Sequence, residues 1–184
     1  MSSFKDNTDY YGAVSRFNHW IAAVIIVGML TVGLYFNDMP RGDEKSYWLS
    51  LHIGAGGLFF IYLLFRVFWR VFSKSPRPVE QKQVLQIATK VIHWLLLISI
   101  LIMALTGPML IWTRAVDINV FGWFSIPGPF VDKMPELHEW CEEIHEIVAK
   151  VLLFSILIHV FAALKHQFLD KDNTLARMIK TLRK

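Results

Sequence analysis

The sequence predicts an all-α fold: an integral membrane, up-down four-helix bundle with short amphipathic helices outside the spans. Three observations predict it. Four apolar stretches, residues 17–36, 51–72, 90–113 and 144–166, are each long enough to cross a hydrocarbon core as a helix, which takes roughly 20 residues. The 184-residue chain is 54% hydrophobic and only 18% charged, a balance that favours lipid over water as its surroundings. Trp20, Trp48, Trp69, Trp94, Trp112 and Trp140 lie at or just outside the ends of these stretches, where an indole sits at headgroup level; only Trp123 lies well inside a connection. The whole chain, residues 1–184, reads as one transmembrane domain.

In the first span, Ala22 to Phe36 contains no charged residue, whereas a helix of a soluble bundle would show a polar face. The span is long for a secretory signal and is followed by Asn37-Asp38-Met39-Pro40 without a small-residue cleavage pattern, so it is expected to stay as a permanent helix. Pro40 and Gly42 break the first connection, and the run from Ser73 to Pro78 breaks the second. The third connection is the long one. Its aromatic part, VFGWFSIPGPF from Val120, is expected to lie against the membrane interface; its acidic part, MPELHEWCEEI, leads into the fourth span. After that span, Asp172-Asn173-Thr174 are placed to cap a short basic amphipathic helix that ends near Lys184 on the membrane surface.

Basic residues set the orientation. Arg66, Arg70, Lys74, Arg77, Lys82 and Lys90 surround the second connection, and Lys165, Lys171, Arg177, Lys180, Arg183 and Lys184 fill the tail. The other connections hold only Arg41 with Lys45 and Arg114 with Lys133, the last two near Asp117, Asp132, Glu136, Glu139, Glu142 and Glu143. Both termini are therefore expected in the cytoplasm. The net charge of +4 records this topology and an attraction to anionic lipid; no motif points to nucleic acid. Cys141 is the only cysteine, which excludes an internal disulfide, a thiolate metal cage and covalent haem attachment through C-x-x-C-H.

All seven histidines, His19, His52, His93, His138, His145, His159 and His166, fall within or near span ends. Ionisable groups at such depths are costly unless paired or ligated. His159 follows His145 by 14 positions, which puts the two within about 40° of one face and about 21 Å apart along the axis. His52 opens the second span on the side where His145 opens the fourth, and His19 opens the first span on the side where His159 lies. Paired neutral imidazoles without a thiolate or a carboxylate cluster are what bis-histidine haem b ligation needs, whereas zinc takes four protein ligands or three plus water. Spacing leaves the inner pair open, because His93 begins the third span on the same side and is followed, like His19, by a tryptophan. Gly54, Gly56 and Gly57 would let a flat macrocycle approach the second span, although small residues also pack membrane helices. Arg66, 14 positions after His52, would either pair with a haem propionate or snorkel to the headgroups.

FNHW at Phe17, LHIGAGG at Leu51, RVFWR at Arg66, the pair His145 and His159, and ALKHQFLDKDNTLARM at Ala163 together closely resemble the bacterial cytochrome b561 family, from about Tyr11 to Arg177. VFGWFSIP in the third connection resembles a particular subgroup of it. The resemblance implies a four-span cytochrome of the bacterial inner membrane, with two haem b groups, that moves electrons between the periplasmic side and the quinone pool. It implies His19 with His159, and His52 with His145, as axial iron ligands, leaving His93 out. His166 matches a family position associated with quinone, and is expected to hydrogen-bond a ubiquinone carbonyl with Lys165 or Arg16 nearby. Some relatives have a second histidine where this chain has Gln167.

The expected function is thus electron transfer from a periplasmic donor to ubiquinone, with superoxide a candidate donor because some family members oxidise it. An alternative is a cytochrome b anchor subunit fed by a dehydrogenase or soluble carrier. A further alternative, from a different class, is a haem-free metal transporter or scaffold whose histidines bind a metal in transit.

Overall fold

The computed structural model describes residues 4, 6–8, 10–78, 81–172 and 174–179. Four helices, α1 (Ala13–Asn37), α2 (Asp43–Phe72), α3 (Gln83–Trp112) and α4 (Pro135–Lys165), are long and apolar enough to cross a membrane. α4 continues into a wider π-helical turn at His166–Asp170, and a short α5 (Thr174–Ile179) follows. Between α3 and α4, β1 (Ile118–Val120) and β2 (Phe124–Ile126) form an antiparallel hairpin.

The all-α class holds, but the helices begin well before the apolar stretches do: Asp43 against residue 51, Gln83 against 90 and Pro135 against 144. Apolar sequence marks only the part that lipid can cover. Lys, Gln and Glu are good helix formers and carry the helices onward into water. At about 1.5 Å per residue the 30-residue α2 and α3 are each roughly 45 Å long, against a hydrocarbon core of about 30 Å.

Of the tail helix, the part described is α5, where Asp172 Oδ1 accepts the Thr174 N–H at 2.8 Å, as expected of a cap. Asn173 and Lys180–Lys184, including the expected helix end, lie outside the described residues.

α1 packs on α2, α2 on α3 and α3 on α4, in chain order. The α4 backbone stays away from α1 and α2, and histidine rings bridge that gap. Between the histidine levels the interior is apolar: Ile100 and Leu152 are buried, with Ile26, Leu63, Leu96, Leu97, Met103 and Ile156 packed around them, and the cluster reaches buried Val67 at the height of Arg66. Ile26 lies seven positions from His19 and from Gly33, Ile100 seven from His93 and from Gly107, and Leu152 seven from His145 and from His159. The layer therefore divides the interior into a hairpin-side level and a tail-side level. Outward-facing Val24, Phe68 and Phe154 are well exposed, as expected of surfaces that lipid covers.

The hairpin turns through Phe121 (φ 54°) and Gly122 (φ 76°), and the Trp123 N–H bonds the Val120 carbonyl at 2.9 Å. Three residues, Phe121–Trp123, join the paired strands, and positive φ at both central positions of the Val120–Trp123 turn suits the strand twist, but a phenylalanine in that region costs about 1–2 kcal/mol. Packing against α2 offsets it. A Cβ on Gly54 would lie 2.8 Å from the Phe121 ring, and one on Gly57 would lie 2.7 Å from Ile118 Cγ2. Gly54 and Gly57 thus make room for the hairpin rather than for a macrocycle, which corrects the sequence expectation. Ile118 and Val120 are buried on α2 while Trp123 and Phe124 face outward, so only half of the aromatic segment is free to meet an interface.

Candidate functional site

On the hairpin side, α2 and α4 bring His52 and His145 together with ring centres 6.5 Å apart and planes at 84°. Phe36 packs edge-on against His52, and Gly33 lies behind it, where a Cβ would stand 3.2 Å from His52 Cε1. His52 Nδ1 is buried and lacks a hydrogen-bond partner of good geometry. His145 Nδ1, in contrast, lies 2.8 Å from Thr106 Oγ1 on α3. Gly33 and Thr106 were not picked out by sequence reasoning. Gly33 carried a signal, since it follows His19 by the same 14 positions that separate His145 from His159. Thr106 carried none, being a hydroxyl in an apolar run.

On the tail side, α1, α3 and α4 converge on three imidazoles. His19 and His159 have ring centres 6.2 Å apart with planes at 62°, and His93 and His159 are 5.5 Å apart. The neighbouring side chains are polar. Tyr62 donates to Asn18 Oδ1 at 2.7 Å, while the Asn18 amide nitrogen and Arg16 Nη1 are buried without a partner. Arg66 is half-buried on α2, within electrostatic reach of His19, and makes no ion pair among the described residues.

His166 begins the π-helical turn, one level further toward the tail. Its Nδ1 lies 2.6 Å from Asp172 Oδ2 and 3.1 Å from Asp170 Oδ2, and Lys165 pairs with Asp170 at 2.6 Å. Burial of the Asp172 carboxyl alone would favour its neutral form, but hydrogen bonds from Thr174 and His166 outweigh this and hold it below the usual carboxylate range. Lys165 is therefore engaged with Asp170 and not directed at His166. Arg16 keeps a guanidinium nitrogen free.

The six expected residues thus fall in three places: His52 with His145, His19 with His159 and Arg66, and His166 with the acidic turn. His138, the remaining histidine, bonds Thr113 Oγ1 at 3.0 Å and has no imidazole opposite.

Residues 10–181 match the family described as prokaryotic cytochrome b561. The chain is 31% identical over 179 residues to the Escherichia coli K12 protein named cytochrome b561 homolog 2, covering 96% of this chain and 95% of that one. It is 21% identical over 164 residues to a probable superoxide oxidase, CybB, of Yersinia pestis, covering 88% and 90%. It is 22% identical over 218 aligned positions to a probable Ni/Fe-hydrogenase B-type cytochrome subunit of Cupriavidus necator, covering 96% and 86%. The chain therefore belongs to the prokaryotic cytochrome b561 family, as a bacterial membrane electron-transfer protein that carries b-type haem.

Proposed function

We propose that the protein carries single electrons across the bacterial inner membrane, from a donor on the periplasmic, hairpin side to ubiquinone on the cytoplasmic, tail side, with two haem b groups held at the two levels. The observation that carries this is the pairing distance. Imidazoles that ligate one metal ion from opposite sides have ring centres roughly 6.3 Å apart, from metal–nitrogen bonds of about 2.0–2.1 Å and about 1.1 Å from nitrogen to ring centre. The separations of 6.5 Å for His52 with His145 and 6.2 Å for His19 with His159 fit; the 5.5 Å between His93 and His159 is too short. The gap between α4 and the α1–α2 pair, and the Asn18 amide and Arg16 guanidinium nitrogens, unpartnered among the described residues, also fit groups that enter between the helices.

Haem b, when bound, supplies one-electron redox chemistry. The chain's own contributions are to hold, orient and shield it. The four imidazoles fix the two levels, and the apolar layer keeps water out of the space between them. Arg66, in no ion pair among the described residues, would pair with a propionate on the tail side. In its doubly protonated form His166 donates Nδ1–H to Asp172 and has Nε2–H to offer a quinone carbonyl. Full reduction of a quinone consumes two electrons and two protons, and the exposed Lys165–Asp170 pair connects His166 to water.

Superoxide is the candidate donor suggested by the Yersinia relative. Five exposed carboxylates on the first turns of α4, Glu136, Glu139, Glu142, Glu143 and Glu146, make no ion pair among the described residues and repel an anion at long range. The hydrogenase relative supports a second reading, that of a membrane subunit fed by a partner protein. Both are tested by purifying the protein in detergent and following its haem spectrum anaerobically, with candidate donors and with or without a soluble quinone. Superoxide-dependent quinone reduction by the isolated chain supports the first reading; stoichiometric co-purification of a dehydrogenase, without that activity, supports the second. A colourless, iron-free preparation overturns both.

A further inference from the structure

We infer that Thr106 is a positioning residue that fixes the tautomer of His145 and thereby sets the redox balance of the hairpin-side haem. The inference rests on the His52–His145 pairing proposed above. Thr106 Oγ1 stands between two partners, the Ile102 carbonyl at 2.9 Å and His145 Nδ1 at 2.8 Å. A hydroxyl has one hydrogen and two lone pairs. If that hydrogen pointed to His145, lone pairs of the Thr106 and Ile102 oxygens would face each other at 2.9 Å with nothing between them. The hydrogen therefore goes to Ile102, in the i−4 back-bond open to a helical threonine, and the hydroxyl accepts from His145 Nδ1–H. In the neutral ring this leaves Nε2 bare, which is the form that binds a metal.

The same arrangement recurs seven residues along both helices. Thr113 Oγ1 donates to the Met109 carbonyl at 2.6 Å and lies 3.0 Å from His138 Nδ1. There no imidazole faces the histidine, so Thr113 provides an internal control for a bond of equal type without a metal-facing role. His52, across the level, faces the Met29 backbone carbonyl instead, so among the described residues Thr106 is the side chain that hydrogen-bonds a ring of this pair.

An Nδ1–H that donates to an acceptor makes its imidazole a stronger electron donor and favours the oxidised iron. Thr106→Val removes the acceptor while keeping the shape. It is expected to leave two haems per chain and to raise the reduced-to-oxidised ratio of the hairpin-side haem about three- to tenfold at a fixed potential, as loss of one hydrogen bond implies, or about 30–60 mV for one electron. Thr106→Ser should restore the native value, and Thr113→Val should leave both potentials unchanged. An unshifted titration in Thr106→Val with both haems bound overturns the inference. So does an equal shift in Thr106→Ser, which would assign the effect to the methyl group. If Thr106→Val does not assemble, Thr106→Ala, which also removes the acceptor, decides in its place, and an unshifted potential there with both haems bound overturns the inference. Retention of both haems in His145→Ala would instead sink the underlying pairing, whatever Thr106 does.

Discussion

The two histidine levels bring imidazoles together in different surroundings. The hairpin-side level has two imidazoles, one ordered by Thr106 and the other wedged between Gly33 and Phe36. The tail-side level has three imidazoles and sits among Arg66, Arg16, Asn18 and Tyr62. The difference teaches that one level is held by packing and one hydrogen bond with few polar groups nearby, whereas the other is lined by cations and by donors left unpaired among the described residues. The hairpin side is also covered by a built device, β1–β2 on α2, and the tail side by a short helix tied to α1 through the Trp20 indole N–H and the Met178 carbonyl at 2.9 Å.

The largest expected effect separates the levels outright. His52→Ala should take the haem content from two per chain to one while sparing the tail side, and His159→Ala should do the reverse; a haemochrome assay with low-temperature spectra reads both. His93→Ala should keep two haems, and loss of one there, with retention in His159→Ala, would reassign the tail-side pair. Next in size, His166→Ala should keep both haems and slow their reoxidation by soluble quinone at least about tenfold, the usual scale for a charge-assisted hydrogen bond of about 1.5–3 kcal/mol. Reoxidation at the native rate in stopped flow would remove His166 from the quinone site.

A smaller effect tests the hairpin. Gly57→Val places a side chain where Ile118 Cγ2 already lies, and overpacking of this kind costs about 1–3 kcal/mol. Faster hydrogen exchange in β1 and β2 with unchanged haem content is the expected result, and undisturbed exchange would mean the hairpin is not seated on α2. The smallest effect is one of pH. Because the Asp172 carboxyl is held below its usual range, its bond to His166 and Thr174 contributes stability that is complete above about pH 3.9 and is lost as pH falls through the depressed value. Proteolysis around residue 171 should therefore be flat from neutrality to about pH 4 and rise below it, and Asp172→Asn should flatten the acid limb.

Much of this was legible in the sequence, for physical reasons that can be named. Lipid demands long apolar runs, so the four spans and their order were readable, and 14-residue spacing placed His145 and His159 on one face. The helix starts were not, because Asp43 or Pro135 begins a helix in water, where hydrophobicity is silent. Gly54 and Gly57 were misassigned because a missing side chain says that something approaches but not what; here it is Phe121 and Ile118. Thr106 was invisible because its partner lies 39 positions away on another helix. His93 stayed ambiguous by spacing alone, and in the structure its ring lies 5.5 Å from His159, against 6.2 Å for His19.

The apolar cluster around Ile26, Ile100 and Leu152 has an electrical consequence for the proposed electron path. If electrons pass between the two levels, they cross the bilayer's insulator, and each transfer does electrical work, up to about 2.3 kcal/mol per 100 mV for a full crossing, so the voltage across the membrane would drive or brake the protein.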